Sequence, residues 1–158
     1  TTMQSVGAMT ETDNLNTDVT RAEFVHMLYE YYNPSGGTGI LTFTDVGNDH
    51  PFAPAIKWAM KTGIIRGITD KIFAPDKKIT RLEMIVMLAR FDEERENPLT
   101  ATEPEYHLAA CNNIPSWGQN AVHWAVANGI INGNNGMILP DDYVKVTEAI
   151  AMISRLGK

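Results

Sequence analysis

The feature that most constrains this chain is that it repeats itself. Residues 55–67 read AIKWAMKTGIIRG and residues 121–133 read AVHWAVANGIING, an offset of 66 at which seven of thirteen positions are identical. Such a period marks a small supersecondary unit that cannot bury its apolar face alone and must stack on its neighbours. A second pattern occurs three times, as TRAEFVHMLYEY from Thr20, TRLEMIVMLARF from Thr80 and KVTEAIAMISRL from Lys145. Its apolar positions fall at i, i+1, i+3, i+4 and i+7 in every copy: Phe24, Val25, Met27, Leu28 and Tyr31; Met84, Ile85, Met87, Leu88 and Phe91; Ala149, Ile150, Met152, Ile153 and Leu156. That spacing is one face of an amphipathic helix. Each unit therefore reads as helix, loop, helix, and the expected fold class is all-α with minimal strand content.

The helix ends are legible as well. Gly63 and Gly129 stand where a residue in the left-handed conformation would close the first helix, with Ile64 or Ile130 folding back as the apolar contact. Gly67 and Gly133 then permit a tight turn. Thr20-x-x-Glu23 and Thr80-x-x-Glu83 have the form of capping boxes, in which threonine and glutamate each accept one of the helix's free amides, each cap contributing about 1 kcal/mol. Trp58 and Trp124 recur inside the first helix at core spacing. The glycine-rich stretch 33–42 and the acidic stretch 92–105 read as linkers, the second as a solvated charge run.

Composition bounds what such repeats can do. With 158 residues, 44% hydrophobic and 20% charged, the chain holds one compact domain or a few small repeats sharing a core. A net charge of −6 speaks against nucleic acid as a partner, because phosphate-backbone binding needs a basic surface. No stretch approaches the ~20 apolar residues of a membrane span, so no membrane insertion is expected. The first twenty residues lack a signal-peptide pattern, and any signal is expected to have been removed. Cys111 is alone, so no intrachain disulfide forms, and with His107 and His123 it fits no zinc spacing. Neither metal nor cofactor is expected. Catalytic motifs of the nucleophile-elbow, metalloprotease, P-loop and EF-hand types are absent, and Asp45, Asp49 and Glu83 sit in cap and turn chemistry, so no catalytic residue is assigned.

The order FTDV, AIKWA, GIIRG, IFAP, ITRLE from Phe43 to Glu83, with TRAE intact at Thr20 to Glu23, resembles the S-layer homology repeat. The likeness covers residues 18–32, 43–91 and 110–156. It divides the chain into a partial first repeat with linker (1–42), a second repeat with acidic linker (43–109) and a divergent third repeat (110–158). Two departures stand out. The first sixteen residues offer no AIxWA/GIIxG half, and the third repeat carries KVTE in place of TRAE and Cys111-Asn112-Asn113 in place of the aromatic-x-Asp opening. The resemblance implies a pseudo-threefold helical bundle whose inter-repeat grooves bind secondary cell wall polysaccharide, often pyruvylated, and it implies a secreted protein at the cell wall or cell surface. Self-association of copies would complete the missing repeat half.

Elementary electrostatics points to the same grooves. A helix N-terminus carries about half a positive charge and free amides, so arginine in the first turn is mildly unfavourable. Arg21 and Arg81 sit there nonetheless, and Lys145 is read as the cation of the third copy. Guanidinium and free amides together suit a carboxylate such as a pyruvate ketal. Removing either arginine is then expected to weaken glycan binding with little loss of stability. The alternative for Arg21 and Arg81 is a salt bridge to a carboxylate such as Asp45 or Glu83. Thr20, Glu23, Thr80 and Glu83 are expected to support the arginines by capping. Phe52 and Trp117, at the start of the first helices, are candidate platforms for sugar rings, and Asp45, Asn48, His50, Asn112 and Asn113 are candidates for sugar hydroxyls. The rival reading is a protein-interaction or spacer module whose glycan binding has degenerated, since helical repeats also form concave surfaces for protein partners.

Overall fold

The computed structural model describes residues 15–32, 34, 39–95, 98–100, 113–131 and 138–157. Gly133, His107, Cys111 and Asn112 lie outside them. Among the described residues five helices follow in order: α1 (Arg21–Tyr32), α2 (Ala53–Lys61), α3 (Arg81–Glu94), α4 (Ser116–Ala127) and α5 (Val146–Ser154). α1, α3 and α5 are the three copies of the second pattern, and α2 and α4 are the two copies of the first. The class is all-α, as the periodicity requires.

The helix ends form as their residues dictate. At α2 the Ile64 amide donates to the Ala59 carbonyl (2.9 Å) and that of Gly63 to Met60 (3.2 Å), while Gly63 takes a φ of 82°. α4 ends in the same way at Gly129 (φ 71°), with Ile130 donating to Ala125 at 2.8 Å. Ile64 and Ile130 are fully buried, so each stop also seeds the core. Gly67 is held at φ 78° and a Cβ there would collide with the Thr69 and Ile72 carbonyl oxygens and the Phe43 ring, so only glycine fits.

Three extended tripeptides, 18–20, 78–80 and 143–145, lead into α1, α3 and α5 and bridge one another in a closed triangle: Thr20 to Lys78, Thr80 to Tyr143, and Lys145 to Asp18. Their central residues Val19, Ile79 and Val144 are wholly buried and plug the axis. Around the triangle the same bonds recur. The Arg21 amide donates to the Lys77 carbonyl, Arg81 to Asp142 and Val146 to Thr17, at 2.8, 2.9 and 3.0 Å. Ala22, Leu82 and Thr147 donate to Pro75, Pro140 and Leu15 at 3.0–3.1 Å. The triangle is thus closed by all three copies although only two first helices, α2 and α4, stand beside them among the described residues.

Each first helix lies on the second helix of the repeat before it. α2 covers α1 through His26 stacked on Phe52 (4.3 Å between ring centroids) and Tyr29 against Trp58 (5.5 Å). α4 covers α3, with Gly118 closing onto Leu82 and the Trp124 indole donating to Asp92 at 3.0 Å. Trp58 is buried and Trp124 half-buried against the core, as their spacing requires. Phe24, Leu28, Ile85 and Leu88 are fully buried, each contributing about 1.5–3 kcal/mol of apolar burial.

The far end corrects one expectation. The acidic stretch from Asp92 is not a solvated linker from its start, because α3 runs through Glu94 and Asp92 is only 2% exposed. Its carboxylate accepts from Arg95 Nε (2.7 Å), from the Leu99 amide and from the Trp124 indole. Arg95 in turn donates to the carbonyls of Leu156 (2.8 Å) and Gly157 (3.1 Å), so a cation closes the negative end of α5.

Candidate functional site

Between α3 and the turn that follows α2 lies a groove of about 380 Å³. Its floor is Val86 and Met87, one side is the turn from Ile65 to Ile68, and the other is Trp117 from the start of α4; Arg21, Arg66, Arg90 and Glu83 supply its charges. Three guanidinium groups thus meet one carboxylate in a chain whose net charge is −6. The cations come from α1, from the Ile65–Gly67 turn and from α3, so the groove exists only when two repeats and the entry to a third are assembled.

The three arginines are not alike. Arg21 is 4% exposed: Nε donates to the Phe73 carbonyl (2.8 Å), Nη1 to Glu83 Oε2 (2.9 Å), and the guanidinium lies 5.0 Å over the Phe73 ring. Burial pulls its pKa below the ordinary value, which the charges of Glu83 and Asp45 partly offset. Among the described residues its Nη2 has no hydrogen-bond partner, and the side chain lines the groove. Among the described residues Arg90 reaches only the Ile64 carbonyl, at 3.4 Å. Its pKa is lowered first by burial and then by the charge of Arg66, with Glu93 opposing. Arg66 is exposed, in no ion pair with a described carboxylate, and close enough to Arg90 for the two to repel.

The expected ion pair and the expected groove are both present at Arg21: Glu83 takes the salt bridge, Asp45 contributes charge, and the cleft remains open beside them. Arg81 repeats the arrangement, with Nε to the Ile138 carbonyl (2.9 Å) and Nη1 to Glu148 (3.1 Å). The free helix amides do not exist. In α1 and α3 the first-turn amides are taken by the next repeat's carbonyls and by Thr20 and Thr80, so any anion must be held by side chains. The two capping boxes form as their spacing predicts: Glu23 and Glu83 donate their amides to Thr20 and Thr80 Oγ1, and the carboxylates accept the threonine amides at 2.8 and 3.0 Å. Glu83 additionally grips Arg21 with its second oxygen.

Lys145 is a second correction. It is the N-cap of α5 and bridges as Thr20 and Thr80 do, so the arginine's place in the third copy belongs to Val146, which is buried. An ammonium cannot accept a hydrogen bond, so only half of that capping box survives, the Lys145 amide to Glu148 at 2.9 Å. The Lys145 ammonium instead meets Asp18 at 2.7 Å, and Lys78 holds the other oxygen at 3.1 Å. These two hydrogen-bonded lysines keep the Asp18 pKa below the usual carboxylate range.

The remaining candidates scatter. Asp45 accepts the Phe73 and Ala74 amides (3.0 and 2.7 Å), holding Ala74 at a left-handed φ of 61°. His50 Nδ1 accepts the Phe52 amide at 3.0 Å, and Phe52 is spent on the His26 stack, outside the groove. Asn48 and Asn113 are exposed and do not line the groove. Trp117 does line it, 61% exposed. Alignment of Ala55 with Ala121 puts Trp117 opposite Pro51, so it is not the counterpart of Phe52. Arg66 and Arg90 were missed by sequence reasoning. The signal was there in part, since Arg90 recurs as Arg155 at the same place in the third copy, where the first has Glu30.

Helical repeats that pack with a cationic, aromatic-walled groove between them define a class, the helical-repeat module. Residues 42–85 and 112–145 match the S-layer homology domain, and the chain belongs to that family of cell-surface modules. Among its relatives, the cellulosome-anchoring protein of Acetivibrio thermocellus is 30% identical over 143 residues, covering 87% of this chain and 32% of that protein. An amylopullulanase of Thermoanaerobacterium thermosulfurigenes is 34% identical over 157 residues, 94% of this chain and 8% of the enzyme. The surface-layer 125 kDa protein of Lysinibacillus sphaericus is 31% identical over 97 residues, 61% of this chain and 8% of that protein. The chain thus spans a third or less of each of these relatives' lengths. Among the described residues no helix is long and apolar enough to cross a membrane.

Proposed function

We propose that this module is a non-catalytic anchor that fixes its parent protein to the cell wall by holding an anionic group of the secondary cell wall polysaccharide, such as a pyruvate ketal, in the groove between α3 and the Ile65–Ile68 turn. The observation that carries this reading is the charge pattern: Arg66 and Arg90 stand close enough for their charges to repel, in a groove that three guanidinium groups share with one carboxylate, beside an indole left in solvent. A carboxylate would relieve that repulsion, and a sugar ring would cover Trp117. The name of the cellulosome-anchoring relative supports an anchoring role. The enzyme relative is matched over 8% of its length, which suits a shared accessory module.

Association between copies has less support. A helix docking on α5 would meet exposed Thr147 and Ser154 where α3 offers Leu82 and Ala89, so little apolar area would be gained. Sedimentation of wall sacculi tests the proposal. Sacculi that retain their polysaccharide should carry the module down, and sacculi stripped of it, or freed of ketals by mild acid, should leave it in solution. Equal capture by all three would favour a protein or peptidoglycan partner.

A further inference from the structure

Asp45 does not line the groove, and both its oxygens are spent on one turn: Oδ1 accepts the Phe73 amide (3.0 Å) and Oδ2 the Ala74 amide (2.7 Å). The Ala74 amide and the Phe73 carbonyl belong to a single planar trans peptide, in which N–H and C=O point opposite ways. A carboxylate that holds the amide on one side therefore aims the carbonyl on the other, and that carbonyl accepts from Arg21 Nε at 2.8 Å. The turn is held against strain, since Ala74 takes a φ of 61°, where a residue with a Cβ is disfavoured. The third repeat does the same: Leu139 takes a φ of 56°, and the Ile138 carbonyl accepts from Arg81 Nε. In both copies the strained residue follows directly on the carbonyl that receives the arginine.

The segment that supplies Asp45 also fastens a second cation of the groove. Thr44 donates its amide and its hydroxyl to the Lys71 carbonyl (2.8 and 3.2 Å), and the Phe43 ring stacks on Phe73 and packs against Gly67. Residues 43–45 thus grip both ends of the loop that carries Arg66.

We infer that Asp45 is a positioning residue for the groove: without touching the ligand, it holds Arg21 and the Arg66 loop in register with each other. This rests on the anchoring reading and goes beyond it, because it makes a carboxylate necessary for holding an anion. By charge alone Asp45 opposes an anionic ligand, so neutralising it would tighten binding. By position it aims the cations, so neutralising it weakens binding. The two effects have opposite signs.

Titration of the module with polysaccharide-bearing sacculi, with Tm measured on the same preparations, reads both. Asp45→Asn keeps the size but loses the charge and one of the two acceptor oxygens, and it should bind about three- to tenfold more weakly than wild type. Asp45→Ala should bind at least about tenfold more weakly. Adding Ala74→Gly to it should return about 2–4 °C of the lost Tm, because glycine takes that φ without strain, and none of the lost affinity. The double variant also keeps the test sound should Asp45→Ala unfold. Binding by Asp45→Asn as tight as wild type or tighter, or affinity that returns with Tm in the double variant, would overturn the inference and leave the anchoring reading standing. Equal capture of the wild-type protein by sacculi stripped of polysaccharide would overturn that reading and this inference with it.

Discussion

Arg21 and Arg66 line the same groove and teach opposite lessons. Arg21 is buried, bonded to a backbone carbonyl 52 residues away and to a carboxylate 62 residues away. It ties α1 to the second repeat. Arg66 is exposed on a glycine-bounded turn, where its charge acts against that of Arg90. A side chain that satisfies itself within the fold has little left for a ligand; one that does not is available. On the proposed reading, stability falls to the inner arginine and recognition to the outer pair.

The largest effect that can break this division is thermal. Arg21→Ala should destabilise the fold by about 2–3 kcal/mol, since it strands the Glu83 carboxylate. That is less than a fully buried pair would cost, because Glu83 keeps 21% of its side chain exposed. Scanning calorimetry should show a fall in Tm of roughly 5–10 °C. This reverses the expectation from the helix dipole alone, under which the arginine was dispensable to the fold.

Trp117→Ala should lower glycan affinity by about 1–2 kcal/mol, roughly tenfold, and leave Tm unchanged, because the indole is mostly in solvent. A drop in Tm with unchanged affinity would make Trp117 a packing residue.

Smaller still are the pH effects. Burial lowers the His26 pKa, with Glu30 opposing, so the unfolded chain binds its proton first as pH falls. The stability His26 contributes is present above its unfolded pKa, about 6.5, and is lost below it. Among the described residues its Nε2 has no hydrogen-bond partner, and the Glu30 carboxylate 3.9 Å away offsets only part of the cost of charging a buried ring. His26→Phe should therefore flatten the decline in Tm between about pH 6.5 and 5. Asp18, whose pKa is lowered by Lys145 and Lys78, supplies stability above the unfolded carboxylate value that fades as pH falls through the range below about 4. Asp18→Asn should remove that acid limb alone. Least of all, added salt should weaken wild-type binding more than it weakens Arg66→Gln, since an exposed cation is the one that counterions screen.

Much of the fold was legible because its signals are local. Gly63, Gly129 and the two capping boxes act over three to five residues, and the apolar spacing of Phe24 to Tyr31 is fixed by the helix itself. What failed was set by distance. The pairing of Lys145 with Asp18 spans 127 residues, and it was that bridge that showed Lys145 to occupy the cap and Val146 the arginine's place. Asp92 reads as part of a solvated charge run until Arg95 and Trp124 fold onto it. Asp45 reads as a ligand contact until the Phe73 and Ala74 amides consume both its oxygens. Arg21 and Trp117, both legible as candidates, line the groove, but Arg66 and Arg90 meet there only once the turn is laid beside α3.

Arg66→Gln, measured for glycan affinity and for thermal stability on one preparation, tests the division most directly. The outer-cation reading predicts at least about tenfold weaker binding with stability within about 0.5 kcal/mol of wild type. Affinity equal to that of the unaltered protein would contradict it.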